Sequence, residues 1–265
     1  MVSFKALFAS GLLVTAVSAV PVGGYNNTIV ARQSADKRGL AYNNAAALLP
    51  YAGKKDVFSW AYNWAGSVGG DIFGTEFVPT LWGPKAFGSW KAEAEISLGV
   101  GSQHLLAFNE PDLPEQANMS PQEAAEAYQE YMNPYADRAR LGSPSVTNGA
   151  SPMGLGWLEQ FFSACGGSCK VDFLNIHWYD SATNVEYFKK HVEDAVSLAT
   201  SQGIDKIWVS EFQGMGDDAT QVKFLEEVLA WLDSHPSVER YAYFMADKLV
   251  NGLSLSSVGE AYASA

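Results

Sequence analysis

The chain has 265 residues, of which 48% are hydrophobic and 13% aromatic, the composition of an ordinary globular protein that can bury a sizeable core. Its 29 acidic side chains outnumber the 17 basic ones, and the formal net charge is −12. Such a surface repels phosphate backbones and anionic lipid headgroups, which argues against nucleic acid or a membrane as partner and favours a neutral ligand.

Residues 1–19 have the pattern of a secretory signal peptide. An apolar stretch runs from Ala6 to Val17 and leads into Val17-Ser18-Ala19, a small-residue cleavage site. The stretch is too short to span a bilayer comfortably, and no later segment reaches membrane length. We therefore expect a soluble, monomeric protein that is secreted, extracellular or associated with the cell wall.

Residues 20–38 are predicted to be a pro-segment. They lack a core-forming pattern and end in the dibasic pair Lys37-Arg38, which proteases of the secretory route cut. The alternative is an ordinary basic pair on the surface. Cleavage at this pair would leave a catalytic domain of residues 39–265.

Strand-like and helix-like runs alternate from Gly39 onward, with no low-complexity linker to divide the chain. Eight strands are predicted, at residues 39–44, 58–64, 76–82, 104–110, 140–147, 173–179, 206–212 and 239–245. Between them, Ser120-Pro121-Gln122-Glu123 is a capping box with proline at N1, and Thr183-Asn184-Val185-Glu186 repeats this helix-start signal. The apolar stripe from Val222 to Leu232 predicts the buried face of a further helix.

Alternating strand and helix units in one domain predict an α/β fold, a single (β/α)8 TIM barrel, in which catalytic groups come from the carboxyl ends of the strands. An open doubly wound sheet is the alternative. Its glycine-rich fingerprint is missing, because the first predicted strand, Gly39 to Asn44, contains no Gly-x-Gly-x-x-Gly.

Two carboxylates stand at predicted strand ends, Glu110 at the fourth and Glu211 at the seventh. A buried acid is costly unless it has a partner or a chemical role, so the pair predicts a two-carboxylate active site. Either glutamate alone would more often be a solvated loop acid. If the pair retains anomeric configuration, the carboxyl groups should lie about 5 to 5.5 Å apart, against roughly 6.5 to 9.5 Å for inversion.

The strand ends also carry aromatic and hydrogen-bonding side chains. Aromatic faces stack on the apolar faces of sugar rings, while Asn, His and Tyr hydrogen-bond to hydroxyl groups, so this mixture suits a neutral polysaccharide. Because side chains alternate along a strand, about half of them must face the helices instead. The residues predicted to bind substrate are Tyr62, Asn63, Trp64, Trp82, Asn109, His177 and Tyr179.

Both cysteines, Cys165 and Cys169, flank a flexible Gly-Gly-Ser linker, and in an oxidising compartment they are predicted to close a small disulfide loop. Two thiols are too few for a structural zinc site, and the histidines have no ligand spacing, so neither a metal nor another cofactor is expected. Asn118-Met119-Ser120 is an acceptor pattern for an N-linked glycan.

Several short runs occur in a distinctive order along the chain. They are Arg38 to Asn43, Ser59 to Trp64, Phe77 to Gly83, Leu105 to Leu113, Ile176 to Asp180 and Trp208 to Phe212. Together they resemble the fungal alkali-sensitive-linkage type glycosyl hydrolase core, glycoside hydrolase family 128, whose members are (β/α)8 endo-β-1,3-glucanases of clan A. The resemblance implies that Glu110 is the general acid/base, Glu211 the nucleophile and Asn109 a hydrogen-bond donor to the sugar next to the scissile bond.

This resemblance implies a secreted, retaining endo-β-1,3-glucanase that hydrolyses β-1,3-glucan polysaccharide or oligosaccharide. Compared with the wider clan, no arginine ends the second strand, and Phe244 occupies the region where many relatives place a tryptophan. A non-catalytic or weakly catalytic cell-wall protein that binds β-glucan is the alternative, although the presence of Glu110, Glu211 and Asn109 argues against it. Hydrolysis of xylan or mannan also stays open, because bond preference depends on the shape of the groove.

Overall fold

Parallel strands separated by helices make up residues 37–264, the part of the chain that the computed structural model describes. The strands are β1 (Arg38–Ala41), β2 (Trp60–Tyr62), β3 (Glu76–Phe77), β4 (His104–Leu105), β5 (Arg140–Leu141), β6 (Leu174–Ser181), β7 (Ile207–Met215), β8 (Val238–Tyr243), β9 (Val250–Asn251) and β10 (Ser254–Leu255). Every predicted strand has a counterpart among β1 to β8, although β1 to β5 are shorter than predicted. The sequence patterns do not predict the antiparallel β9–β10 hairpin.

The central sheet is parallel and runs in the order β3-β2-β1-β8-β7-β6. Strands β4 and β5 form a separate parallel pair. Isolated parallel bridges join this pair to its neighbours, Thr80 with Leu106 on the β3 side and Gly142 with Phe173 on the β6 side. The fold class is therefore α/β, and the carboxyl ends of β1 to β8 lie at the same edge.

Helices fill the connections between the strands. The α-helices are α1 (Phe87–Gly99), α2 (Pro121–Tyr131), α3 (Leu155–Cys165), α4 (Val185–Ser201), α5 (Asp218–Ser234) and α6 (Ser257–Tyr262). Short 3-10 helices span Ala45–Tyr51, Pro84–Ala86, Asn133–Tyr135 and Ala246–Lys248. Between residues 37 and 264, no helix combines the length and the apolar character needed to cross a membrane.

The two predicted helix starts have different outcomes. At α2 the capping box is confirmed, because Ser120 Oγ accepts from Glu123 N at 3.2 Å and Glu123 Oε2 accepts from Ser120 N at 2.9 Å. At α4 the capping box is wrong, since the helix begins after Asn184, whose side chain makes no capping bond. Asn184 Nδ2 instead donates to Asp180 Oδ1 at 3.0 Å, so the end of β6 uses the side chain that would have capped the helix.

Two apolar clusters pack on the two faces of the strands. Leu40 and Ala41 are successive residues of β1 and belong to different clusters, as the alternation of side chains along a strand requires. The larger cluster contacts the helices and includes the predicted stripe of α5. The smaller one contains Trp60, Phe173 and Trp208, and the rings of Phe173 and Trp208 stack at 4.2 Å between centroids. This aromatic layer lies toward the amino ends of the strands and leaves the opposite edge for a cleft.

The predicted signal peptide and residues 20–36 of the predicted pro-segment lie outside the described residues. Lys37 and Arg38 lie inside them, and β1 begins at Arg38, one residue before the predicted domain. The buried Arg38 guanidinium donates to Asp233 Oδ2 at 2.8 Å and to the Tyr241 hydroxyl at 2.7 Å. Cleavage after Arg38 stays a prediction, and it would take these contacts away from β1.

Candidate active site

A cleft of about 560 Å³ opens at the carboxyl edge of the parallel strands. Residues from the ends of most strands line it: Asn43, Trp64, Trp82, Asn109, Glu110, Leu113, Gln116, Thr147, Asn148, Tyr179, Glu211 and Phe244. Both predicted carboxylates are among them. The lining combines aromatic rings with amides and hydroxyls, the mixture expected for a neutral sugar chain.

The two glutamates meet at the floor of this cleft. Glu110 and Glu211 are buried, with 8% and 5% exposure. One carboxylate oxygen of each lies within 4.8 Å of one oxygen of the other. The backbone of Glu110 has φ +42°, a left-handed conformation that a non-glycine residue seldom adopts and that often occurs where the direction of a side chain matters. Its N–H donates to Ser145 O at 2.7 Å, which holds this turn against the residues that follow β5.

His177, in β6, lies beneath the floor of the cleft and contacts both Glu110 and Glu211. Its Nδ1 lies 2.9 Å from Glu110 Oε1, while its Nε2 lies 3.0 Å from Ser210 Oγ and 3.5 Å from Glu211 Oε1. The ring is 1% exposed. Burial by itself lowers the pKa of His177, but the negative charges of Glu211 and Glu110 outweigh it, so the net shift of this pKa is upward. A protonated imidazole here would partly offset two carboxylates at close range.

Two donors orient Glu211. Trp64 Nε1 donates to Oε1 at 2.5 Å, and the Tyr179 hydroxyl donates to Oε2. Burial, and then the charge of Glu211 together with this hydrogen bond, raises the pKa of Tyr179 far above its ordinary value, so its hydroxyl stays a donor. Both oxygens of Glu211 therefore act as acceptors, the role of an ionised carboxylate, and the side chain is held in one orientation.

Glu110, His177 and Glu211 also have the spacing of metal ligands. Most of their polar atoms already have hydrogen-bond partners: His177 contacts Glu110 Oε1 and Ser210, while Trp64 and Tyr179 contact Glu211. This pattern is typical of a hydrogen-bonded acid pair. The expectation of no metal and no cofactor stays a prediction.

Some of the other predicted site residues line the cleft, and the rest lie behind its surface. Asn109 lines the cleft, and its Nδ2 donates to Gln116 Oε1 at 3.2 Å. Trp82 also lines it, with Lys85 Nζ 3.2 Å from the centroid of the indole. Sugar stacking on Trp82 therefore needs the ring face that Lys85 does not cover.

Tyr62 and Asn63 are predicted from the sequence to bind substrate, but this prediction is wrong in the structure, where neither residue lines the cleft. Tyr62 is 1% exposed, and its hydroxyl donates to Ser210 O at 2.9 Å, just beneath Glu211. Asn63 Nδ2 donates to Ser67 O at 2.9 Å and stabilises the loop that follows β2. Both side chains shape the site from behind, as the alternation of side chains allows. His177 is likewise enclosed beneath the floor.

Sequence reasoning missed several lining residues, namely Asn43, Leu113, Gln116, Thr147, Asn148 and Phe244. A usable signal existed for some of them. Asn43 and Thr147 lie at the carboxyl ends of the predicted strands 39–44 and 140–147, and Asn148 comes directly after the second of these, so choosing the polar residues at every predicted strand end would have found them. Phe244 departs from the tryptophan of many clan members, and this departure gives no signal that its side chain lines the cleft.

Two further predictions concern covalent chemistry away from the cleft. The disulfide between Cys165 and Cys169 is present at the end of α3, with 5.4 Å between the two Cα atoms. Asn118 is exposed on the loop between Glu110 and α2, with φ +47°. Glycan attachment at Asn118 stays a prediction.

Comparison with known sequences places most of the chain in one family. The family described as "Glycosyl hydrolase catalytic core" matches residues 39–262. Alkali-sensitive linkage protein 1 of Schizosaccharomyces pombe (strain 972 / ATCC 24843) is 31% identical over 256 residues. That alignment covers 86% of this chain and 44% of the relative, so the chain spans less than half of that protein's length.

Solved structures give the same family. A curdlan-specific exo-β-1,3-glucanase of glycoside hydrolase family 128, subgroup III, from Blastomyces gilchristii in complex with glucose, is 55% identical, with a TM-score of 0.86 over 88% of this chain and 100% of that chain. A subgroup II endo-β-1,3-glucanase from Sorangium cellulosum is 30% identical, with a TM-score of 0.71 over 86% of this chain and 98% of that chain. A subgroup I endo-β-1,3-glucanase from Amycolatopsis mediterranei with laminaritriose gives the same identity, TM-score and coverage. The chain therefore belongs to the glycosyl hydrolase catalytic core family, and its structural relatives are the family 128 β-1,3-glucanases.

Proposed function

We propose that the protein is a retaining β-1,3-glucanase in which Glu110 is the acid/base and Glu211 the nucleophile. The proposal rests on one observation: at the floor of the cleft, one carboxylate oxygen of Glu110 lies within 4.8 Å of one carboxylate oxygen of Glu211. Retention needs direct attack on the sugar with a separation of about 5 to 5.5 Å, whereas inversion needs room for a water molecule between sugar and base.

The hydrogen bonds around each acid suit these two roles. Glu211, held by Trp64 and Tyr179, attacks the anomeric carbon, and the glycosidic C–O bond breaks as Glu110 gives its proton to the leaving oxygen. Glu110 then takes a proton from water, and the resulting hydroxide displaces Glu211 from the same face that the leaving group left. Asn109, next to Glu110 in the cleft, is placed to donate to the sugar at the scissile bond.

The eight parallel strands, we propose, close into a (β/α)8 barrel. Support comes from the bridges Thr80–Leu106, Gly142–Phe173 and Val146–Ile176, which add the β3–β4 and β5–β6 links to the pairs within the sheets. In such a barrel the carboxyl ends of the strands form the active site, which agrees with the position of the cleft.

The mode of cleavage is a finer proposal. The resemblance of the sequence motifs to family 128 implies endo cleavage, but the relative with 55% identity is an exo-β-1,3-glucanase. A local observation agrees with exo cleavage: both carboxylate oxygens of Asp247 accept from the backbone N–H groups of Asn43 and Asn44, each at 2.9 Å. This contact joins the 3-10 helix after β8 to the loop after β1, which contributes Asn43 to the cleft, and a cleft closed at that end would favour exo cleavage. We favour exo cleavage of β-1,3-glucan.

Secretion and attachment of a glycan at Asn118 are further proposals. They rest on the leader pattern in residues 1–19 and on the exposed acceptor asparagine. Reactivity of the secreted protein with a glycosidase specific for N-linked glycans, compared with Asn118→Gln, would test the second. Identical migration of the two proteins before and after treatment would contradict it.

Product analysis tests the proposed function directly. Wild type and Glu211→Gln are incubated with laminarin, curdlan, mixed-linkage glucan and xylan, and NMR follows the first anomer released. We expect a β-anomer from the β-1,3-glucans, glucose as the first product if cleavage is exo, and no turnover by Glu211→Gln. Binding of glucan without hydrolysis by wild type would favour the wall-binding alternative, and an initial α-anomer would overturn retention. A ladder of oligosaccharides would restore the endo prediction.

A further inference from the structure

We propose that Asn148 is a positioning residue that holds Tyr179 where its hydroxyl can donate to Glu211. The inference rests on the proposed function, because it treats Glu211 as the nucleophile. Asn148 lies on the loop between β5 and α3, far from Glu211 in sequence, and lines the cleft. Asn148 belongs to none of the short sequence runs that resemble family 128, and its partial exposure does not mark it as a residue of the active site.

The need for such a residue follows from how β6 is paired. On one side, β6 pairs with β7 through to Ser181 and Met215. On the other side the last backbone link is the bridge between Val146 and Ile176, where His177 N donates to Val146 O at 2.8 Å. Because alternate residues of a strand direct their N–H and C=O groups to the same neighbour, the backbone of Tyr179 faces the side that β5 no longer covers.

Asn148 replaces the missing strand at this point. Its Oδ1 accepts from Tyr179 N at 3.1 Å, and its Nδ2 donates to Tyr179 O at 3.1 Å. The side-chain amide therefore pairs with the peptide group as another strand would, through one donor and one acceptor. Tyr179 is thereby held by β7 on one side and by Asn148 on the other.

A position at the cleft does not make Asn148 a sugar-binding residue. The two N–H groups of its amide already have acceptors, Tyr179 O and the hydroxyl of Tyr187 at 3.1 Å. The Tyr187 hydroxyl in turn donates to Asn148 O at 3.2 Å, so both the side chain and the backbone of Asn148 are held. With no free donor for a hydroxyl group of a sugar, the amide acts through Tyr179.

The consequence is a chain of contacts from the loop to the nucleophile. Asn148 fixes the backbone of Tyr179, and the Tyr179 hydroxyl donates to Glu211 Oε2. A small displacement of the Tyr179 ring would release one of the two donors that orient Glu211. Misplacement of a reacting group by about 1 Å can cost on the order of a hundredfold in rate.

The experiment is a double-mutant cycle in kcat on a soluble β-1,3-glucan oligosaccharide, with wild type, Asn148→Ala, Tyr179→Phe and the double variant. We expect Asn148→Ala to lower kcat about tenfold, with KM changed by less than about twofold, because the orientation of the nucleophile and not ground-state binding is lost. Tyr179→Phe should lower kcat at least as much. In the Tyr179→Phe background, Asn148→Ala should have almost no further effect, since the contact through which it acts is gone.

A matched control exists elsewhere in the chain. The side-chain amide of Asn133 also makes one donor and one acceptor contact with the backbone, although to two residues, donating to Ser168 O at 2.8 Å and accepting from Lys170 N at 2.9 Å. Asn133→Ala should lower thermal stability as Asn148→Ala does but leave kcat unchanged. If Asn148→Ala is unfolded at the assay temperature, Asn148→Asp keeps the acceptor for Tyr179 N and is put through the same cycle.

Every result of the double-mutant cycle either supports or overturns the positioning role of Asn148. Equal kcat for wild type and Asn148→Ala, or losses that multiply in the double variant, would overturn the positioning role. A large rise in KM with unchanged kcat would mean direct contact with substrate and would also overturn it. A wild-type protein that binds but does not hydrolyse β-1,3-glucan would instead contradict the proposed function, which separates the two failures.

Discussion

Toward the carboxyl ends of the strands, Glu110 and Glu211 share one histidine, whereas at the amino ends Glu76 and Glu239 are each paired with an arginine. Arg240 lies 2.7 Å from Glu76 Oε2, and His104 Nδ1 lies 2.9 Å from its Oε1. Arg140 pairs with Glu239. Within residues 37–264, the ion pairs of Glu110 and Glu211 involve His177 alone.

Both regions use the same residue types, including a tryptophan that donates to a glutamate. Trp64 Nε1 donates to Glu211, and Trp208 Nε1 donates to Glu239 Oε2 at 2.9 Å. The guanidinium of Arg240 lies 4.8 Å from the ring centroid of Trp208. Within the described residues the difference is thus the permanent cation, which pairs with Glu76 and Glu239 at the amino ends and with neither Glu110 nor Glu211.

This difference separates stability from chemistry. A buried carboxylate paired with arginine has its charge compensated, and removing one partner exposes the other to the full cost of burial. A carboxylate held only by neutral donors and a histidine can lose its charge, as the proposed nucleophile must when it bonds to the sugar. We therefore expect substitutions at the amino ends to change stability and substitutions in the cleft to change turnover.

The largest effect is expected for Glu211→Ala, which should lower kcat on the order of 10⁴-fold or more while the free energy of unfolding stays unchanged or rises. Azide should restore turnover and yield an α-linked product, because the small anion occupies the vacated space below the ring. Glu110→Ala with azide should give the β-linked product from substrates whose leaving group needs no proton. NMR of the products distinguishes the two, and the same anomer from both would contradict the assignment of roles.

Arg240→Met tests the amino ends. It leaves Glu76 buried without its arginine, and we expect a loss of about 3 to 5 kcal/mol in the free energy of unfolding, measured by denaturant titration. Below its unfolding temperature the variant should keep wild-type kcat/KM. Arg138→Met is the control, because Arg138 pairs with Glu95 at an exposed position and should cost less than about 1 kcal/mol. Equal losses for the two variants would contradict the comparison.

The pH dependence of stability should reveal Glu76. Burial by itself raises the pKa of Glu76, but the hydrogen bond from His104 and the charge of Arg240 outweigh it and lower the pKa from 4.5 to about 2. Because the pKa of Glu76 is lower in the folded state than in the unfolded state, Glu76 stabilises the protein by about 3 kcal/mol at pH values well above 4.5. About 2 kcal/mol of this stabilisation is lost as the pH falls to about 3. Unfolding of Glu76→Gln should lack this part of the acid dependence. An identical acid dependence in both proteins would contradict the assignment.

The two tryptophans form a matched pair of tests. Trp64→Phe removes the donor to Glu211 and should lower kcat about tenfold with little change in stability. Trp208→Phe removes the donor to Glu239 and part of the aromatic layer, so it should cost about 2 to 3 kcal/mol of stability and leave kcat intact. Enzyme kinetics and thermal unfolding of both variants test this pattern. A reversal of it would contradict the functional distinction between the carboxyl and amino ends of the strands.

The smallest effect is expected for the disulfide, which belongs to neither region. Replacing Cys165 and Cys169 with serine opens a loop with a sequence separation of 4, and the chain-entropy model gives a loss of about 2 kcal/mol at most. Activity should persist, because the disulfide ends α3 away from the cleft. A loss of turnover at temperatures where the variant remains folded would show coupling that the contacts do not explain.

Local patterns were sufficient for the elements and for part of the site. Alternation of apolar residues placed the strands, and the capping box at Ser120 placed the start of α2. The same kind of pattern failed at Thr183, because Asn184 is engaged by Asp180. It also failed for Tyr62, whose side chain turns beneath the cleft. Side-chain direction at a strand end depends on the neighbouring strands, which a local window does not contain.

The amino acid sequence by itself determined the residue types of the proposed site, two glutamates at strand ends with aromatic and amide neighbours, and also a pair of cysteines close enough to join. Only the tertiary structure decided which partners reach them. The donors to Glu211 are Tyr179 and Trp64, and Trp64 is 147 residues away along the chain. Asn148 is tied to Tyr179, and Arg240 to Glu76 across 164 residues. Such contacts depend on the order and register of parallel strands, which are set by the packing of the whole core and not by any one segment.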